Sequence, residues 1–350
     1  MDSRRGQRIT HRDVAQLAGV SPAVVSYVIN NGPRATSAEA RERVLHAIEK
    51  LNYHPHAFAR GLRSQRTSTI GFLARDYSPL DLFVSPYSAG ILTGLAAELK
   101  DHSYYLLVHP LLIGEDLTAV ASLLRSGRLD GLVVRLVEPA AAATHALLEL
   151  IVSARVPCVC LEQPADPRFG LDSVLFDSEE GAYAATTFLI ERGHRRISHL
   201  EGDPQYASAR ERRQGYERAL LDAGLVVDPA LIQGGSWDPA TVDAAVEWLY
   251  SLEDPPTAIF AANDNLAFRA MGILQETDTR VPEDVALIGF DDIPLAREMV
   301  PSLTTVRIPL DQIGRRAAQL VLESIDSPRP GPGPGRCEMI TPELICRDTT

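Results

Sequence analysis

The stretch DVAQLAGVSPAVVSYVIN, Asp13 to Asn30, decides how the N-terminal part of the chain folds. Helical patterns stand on either side of Gly19. Thr10, with Asp13 three residues later, gives a capping-box start to a first helix that runs to about Leu17. Ser21 is a hydroxyl N-cap and Pro22 suits the first helical position, where its missing N–H costs nothing, so a second helix runs from Pro22 to Asn30. Pro22 and Ser26 are four residues apart, as are Ala23 and Tyr27, which places all four on one side while Val25, Val28 and Ile29 turn toward the neighbouring helices. Thr36 with Glu39 caps a third helix, in which Val44, Ile48 and Leu51 form the face that closes a small core. A helix, a glycine turn and a second helix with a free face is the geometry that enters a DNA major groove. The alternative is an αα-hairpin whose second face is only solvated.

Charge supports the first of these. The 350 residues carry a formal charge of −12, but residues 1–66 hold eleven Arg and Lys against five acids, a charge of +6, and the remainder carries −18. A basic head on an acidic body implies that only the head meets a polyanion.

From Arg66 the pattern changes to short apolar strands alternating with amphipathic helices. TIGFLA, YYLLVHP, DGLVVRL and PCVCLE form one series; VLFD, RISHLEG, TAIFAAN and VALIGFDD form a second. The expected fold is therefore a small all-α helix-turn-helix head plus an α/β two-lobed core, with parallel sheets covered by helices on both faces. Expected boundaries are a head over 1–54, a hinge and linker over 55–66, and a core over 67–350. Within the core, the first lobe takes about 67–174 plus 293–326 and the second about 175–292 plus 327–350. The run SPRPGPGPGR, Ser327 to Arg336, reads as a linker or surface loop. Cys158, Cys160, Cys337 and Cys346 form no CxxC pair and no zinc spacing, so four buried thiols in a reducing cytoplasm are expected, with no metal and no cofactor. No apolar run follows the charges of MDSRRGQRIT, and none elsewhere is long enough to span a bilayer, so neither export nor membrane insertion is expected. No GxSxG, GxxxxGK[ST] or HExxH occurs, and no GxGxxG opens a helix, so the chain is not expected to be an enzyme.

ITHRDVAQLAGVSPAVVSYVINN, followed by LNYHPHAFARGLRSQRTSTIGF, resembles the N-terminus of the lactose-repressor (LacI) family of bacterial transcriptional regulators. The likeness continues through SPYSAGILTGL, FAANDNLAFRAMG, RVPEDVALIGFDD and PSLTTVRIP. It implies a periplasmic-binding-protein-like core that takes a small effector, and a homodimer on a near-palindromic operator. It places base-reading positions at Pro22, Ala23 and Tyr27, with Thr10, Ser21, Ser26 and Asn30 beside them on the DNA-binding surface. Many members carry a hydroxyl or amide residue where Ala23 stands, Thr where Val24 stands, and Arg or His where Tyr27 stands. Ala23 can meet a thymine methyl and the Tyr27 hydroxyl can make one hydrogen bond, but neither reads guanine as an arginine fork does. His56 to Arg63 resembles the family's hinge helix, with Leu62 as the minor-groove wedge and Arg60 and Arg63 near phosphates.

In the core the resemblance implies effector contacts at Arg212, Trp237, Asn263 and Asp291, with Glu162 and Arg135 as first-lobe partners and Phe176 and Tyr87 as pocket walls. Carboxylate, amide and guanidinium groups with an indole face suit a sugar. Arg75 and Arg135, if both face the cleft with Arg212, would suit an acidic ligand; acid-paired arginines are the alternative. The tail carries no leucine heptads for a tetramerising coiled coil, so a dimer is expected.

Overall fold

The computed structural model describes residues 9–30, 36–53, 66–76, 85–112, 115–137, 142–238, 240–327 and 334–350. Two units divide the chain, Met1–Thr67 and Ser68–Thr350.

Among the described residues three helices build the first unit: α1 (His11–Ala18), α2 (Pro22–Asn30) and α3 (Ala38–Lys50). Thr10 donates from both its N–H and its hydroxyl to Asp13 Oδ2, each at 2.7 Å, which fixes the start of α1. Gly19 ends it at φ 64°, a conformation in which a Cβ would meet the following carbonyl. Ser37, not Thr36, caps α3, its hydroxyl accepting from Ala40 N–H at 3.2 Å. Thr and Ser are adjacent candidates here, and the cap falls to the one immediately before the first helical residue. Val14, Ala15, Ala18, Val25, Val28, Val44, Ala47 and Tyr53 form the core of this unit.

The second unit has two six-stranded sheets. Its first lobe begins β1 (Thr69–Asp76), α4 (Pro86–Asp101), β2 (Tyr105–Leu112), α5 (Thr118–Arg125), β3 (Gly131–Arg135), α6 (Ala142–Ala154), β4 (Cys158–Leu161) and β5 (Asp172–Phe176). The second lobe follows with α7 (Ser178–Glu191), β6 (Ile197–Glu201), α8 (Ala207–Asp222), β7 (Ile232–Gly234), α9 (Ala240–Ser251), β8 (Ala258–Ala261), α10 (Asp264–Glu276), β9 (Ala286–Asp291), α11 (Leu295–Glu298) and β10 (Thr304–Arg307). Then come α12 (Leu310–Asp326), β11 (Cys337–Ile340) and β12 (Glu343–Ile345). Strand order is β11-β5-β4-β3-β1-β2 in one sheet and β12-β10-β9-β8-β6-β7 in the other. All pairings are parallel except β10 with β12, which is antiparallel. Successive residues of each central strand face opposite layers: Phe260 and Ile288 pack on one side of the second sheet, Ile259 and Leu287 on the other. Such strands read as unbroken apolar runs because helices cover both faces.

Two segments lie in the opposite lobe to the one expected. β10, within the 293–326 assigned to the first lobe, pairs with β9 in the second sheet, and β11, within the 327–350 assigned to the second lobe, pairs with β5 in the first. The chain therefore crosses between lobes at Asp177, at Ile308–Pro309 and at Thr341–Pro342. Sheet membership is decided by hydrogen bonding to residues far away in sequence, which local composition does not carry. The edge placement of β11 and β12 also leaves Cys337 and Cys346 exposed, so only Cys158 and Cys160 are the buried thiols expected. No helix among the described residues is long and apolar enough to cross a membrane.

Each lobe is clamped by one tight helix pair. A methyl group at Gly94 of α4 would lie 2.0 Å from the Asp311 carbonyl oxygen of α12, and one at Gly215 of α8 would lie 2.1 Å from the Glu179 carbonyl oxygen of α7. Gly94→Ala and Gly215→Ala should therefore each cost about 1–3 kcal/mol of stability through overpacking. Urea unfolding checks this, and unchanged midpoints would mean that these helix pairs separate at no cost.

Candidate DNA-reading face and effector cleft

On α2, Pro22 and Ala23 are exposed, Ser26 and Tyr27 are half-buried, and Val25 and Val28 are buried. Packing therefore uses the Val25 and Val28 side of the helix and leaves Pro22 and Ala23 outward, with Ser26 and Tyr27 partly covered. Ser21 lies at its start, its Oγ accepting from Val24 N–H at 3.4 Å. Thr10 is exposed and tied to Asp13. Asn30 is the last residue of α2, but its side chain lies outside the described residues, as do Arg60, Leu62, Arg63 and the expected hinge helix.

The core's candidate residues gather at the carboxyl ends of strands, where open α/β sheets bind ligands. Arg135 closes β3, Glu162 follows β4 and Phe176 closes β5; Asn263 lies beyond β8 and Asp291 closes β9. In the first lobe, the buried Arg135 and Glu162 form a close ion pair through Nε and Oε1. The Arg135 guanidinium also lies 5.3 Å from the Tyr87 ring centre, and Tyr87 meets Phe176 edge-on at 6.4 Å. In the second lobe, Arg212 Nη2 reaches Asp291 Oδ1 at 3.3 Å, and its Nη1 donates to the Ala262 carbonyl. Its guanidinium lies 3.9 Å from the Phe290 ring and 5.8 Å from that of Trp237.

Electrostatics joins the two clusters. Burial pushes the Tyr87 hydroxyl well above its ordinary pKa, reinforced by Glu162 and, from the other lobe, Asp291. Burial likewise raises Asp291 to about 6; Arg212 opposes this and Glu162 adds to it. Both arginines are matched by acids, so the excess of cation that would have favoured an acidic ligand is absent from this pair; the Arg75 side chain lies outside the described residues. Within these two clusters, Tyr87 Oη and Arg212 Nε are buried without a hydrogen-bond partner among the described residues. Unpaired buried donors are costly, and a bound polar ligand would satisfy them.

Asn263 also supports the local backbone, since its Oδ1 caps α10 by accepting from Leu266 N–H at 2.9 Å, which leaves the amide nitrogen for other partners. Trp237 lies edge-on to Tyr206 at 5.8 Å, and a methyl group at Gly202 would lie 2.3 Å from the indole Cη2. Sequence reasoning missed Phe290 and Tyr206, which read as ordinary core residues. It also missed two bridges between the lobes, Ala207 N–H to the Val137 carbonyl at 3.2 Å and Gln163 Nε2 to Glu211 Oε1 at 2.9 Å. Among the described residues no group of His, Cys, Asp and Glu could hold a metal ion.

A family model described as "Bacterial regulatory proteins, lacI family" matches residues 10–56, and one described as "Periplasmic binding protein-like domain" matches residues 186–350. The HTH-type transcriptional repressor PurR of Vibrio vulnificus (strain CMCP6) is 34% identical over 343 residues, covering 97% of this chain and 98% of that protein. This chain belongs to the lacI family of bacterial regulatory proteins. PurR of Vibrio atlanticus (strain LGP32) is 36% identical over 318 residues, covering 90% of the chain and 92% of that protein. Among solved structures, the transcriptional regulator CelR in complex with cellobiose superposes with a TM-score of 0.72 at 30% identity, covering 98% of this chain and all (100%) of that one. The lac repressor dimer bound to operator and the anti-inducer ONPF gives a TM-score of 0.82 at 24% identity over 98% and 99% of the two chains, a likeness of fold. The family fold, a helix-turn-helix head and a two-lobed α/β core, is the one described above.

Gly202 offers a direct test of the cleft wall. Gly202→Ala should push the Trp237 ring aside, changing its fluorescence while leaving operator binding by the unliganded protein intact. Unchanged fluorescence would show that the indole has room to spare.

Proposed function

We propose that this protein is a cytoplasmic, homodimeric transcriptional repressor that reads a near-palindromic operator with the α2 face and answers to a neutral, polyhydroxylated effector bound between the core lobes. The observation that carries the reading is the cleft itself. Two acid-matched arginines, two unsatisfied buried donors and an indole face converge there, in a chain whose head leaves Pro22 and Ala23 of α2 exposed. Charge-matched arginines and carboxylates can exchange hydrogen bonds with adjacent hydroxyls, while Trp237 covers an apolar C–H face. Catalysis has no part in this. The effector shifts the population of lobe arrangements, and with it the operator-competent state of the hinge residues His56 to Arg63.

The test begins with selection of bound sequences from a random DNA pool. Affinity for the selected operator is then measured with and without a panel of neutral sugars, cellobiose and D-ribose included. A panel member that changes operator affinity should itself bind the operator complex with an affinity changed by the same factor, because linkage is reciprocal. Equal affinity for free and operator-bound protein would refute the mechanism. In the same assay Leu62→Ala should weaken binding without altering its salt dependence, whereas Arg60→Ala should reduce the slope of log K against log salt by about 0.9 for a lost phosphate contact. A Leu62→Ala protein that binds like the parent would leave the hinge as a tether only.

A further inference from the structure

Phe290 and Asp291 are consecutive in β9, yet both touch Arg212, the first through its ring at 3.9 Å and the second through Oδ1 at 3.3 Å. Consecutive side chains of a regular strand point to opposite faces, so extended backbone would deliver one of them and withdraw the other. The chain instead turns here. Asp291 has φ 108° and Asp292 has φ 56°, two successive non-glycine residues on left-handed backbone. Such a conformation persists only where its surroundings hold it.

What holds it is Asp264, the first residue of α10, which is fully buried. Its Oδ2 accepts the Ile293 N–H at 2.8 Å, immediately beyond the turn, and its Oδ1 accepts the Thr305 hydroxyl at 2.5 Å. Gly289 makes room for it, since a methyl group there would lie 2.3 Å from Asp264 Oδ1. The other side of the turn is gripped through Asp292, whose carboxylate takes Arg307 Nε at 2.7 Å and Arg347 Nη2. Arg347 is anchored in turn by its Nη1 on the Leu303 carbonyl at 2.7 Å. Keeping Asp264 there is expensive: burial, with the Asp291 and Asp292 carboxylates close by, raises its pKa well above the ordinary range.

We propose that Asp264 is a positioning residue of the effector cleft: by fixing Ile293 N–H against Thr305 it holds the left-handed turn that brings Asp291 round to Phe290's side, against Arg212. Asp292, Arg307 and Arg347 form the counter-hold. This rests on the reading of Arg212 and Asp291 as effector contacts.

The test needs no effector. In a Trp248→Phe background Trp237 is the one remaining tryptophan of the two, so urea midpoints followed by its fluorescence report on the second lobe. Asp264→Ala is combined with Asp291→Asn and, separately, with Asp291→Gly. Both partner substitutions remove the carboxylate, but only glycine removes the cost of the left-handed backbone. Asp264→Ala loses its two hydrogen bonds in either background, but it should lower the midpoint by about 0.3 M or more further beside Asp291→Asn than beside Asp291→Gly. Asp264→Asn should stay close to the parent, since its Oδ1 can still accept from Ile293 while its Nδ2 donates to Thr305 Oγ1. If Asp264→Ala does not fold, Thr305→Val, which removes one of the two bonds, is taken through the same pair of backgrounds. Equal losses in the two backgrounds would overturn the proposal, as would an Asp264→Asn loss as large as that of Asp264→Ala. Should the cycle hold while Asp291→Asn leaves the response to the sugar panel unchanged, it is the reading of the cleft that fails, and the positioning role in the cleft fails with it.

Discussion

Burial of the Arg212 guanidinium is the constraint around which the core is arranged. A cation taken out of water loses several kcal/mol of solvation and must recover it from neighbours in good geometry. Arg212 does so from three places at once: the Ala262 carbonyl beyond β8, the Asp291 carboxylate at the end of β9, and the face of the Phe290 ring, over which its guanidinium carbon lies. These contacts tie α8 to the two central strand ends and fix the floor of the cleft. Removing either charged partner would leave the other buried and unmatched, which is why the pair must be read as a unit.

The first lobe uses the same device in different residues. Glu162, like Asp291, is a non-glycine residue on left-handed backbone, at φ 69°, just beyond its strand, and like Asp291 it faces a buried arginine. Carboxylates set at strand ends in this way are held by backbone rather than by flexible side-chain reach. Their positions then follow the lobes. Among the described residues the chain passes between the lobes three times, two of the passages carrying Pro309 and Pro342, and under the proposed function a ligand that bonds both clusters would select among lobe arrangements rather than deform either sheet.

Charge separation along the chain serves the same division of labour. The +6 of residues 1–66 attracts phosphates, whereas the −18 of the remainder repels them, so a polyanion is drawn to the N-terminal part of the chain, an attraction that salt screens.

The sequence by itself determined the head, because everything that defines it is local. Thr10 with Asp13, Gly19, Ser21-Pro22 and the apolar spacing of α2 and α3 act within one or two helical turns, and that range is visible in a linear pattern. It also determined the alternation of strands and helices, and, through resemblance to a family, it pointed to the candidate effector residues that gather at the strand ends. Tertiary structure alone decided which sheet takes β10, β11 and β12, that Arg135 and Arg212 arrive already neutralised, that Asn263 gives its carbonyl to a helix cap, and that Asp264 stands behind Asp291. Those outcomes depend on desolvation and on partners far apart in sequence, 79 residues between Arg212 and Asp291 and more between β5 and β11, and a buried charge takes whichever partner the fold brings within reach.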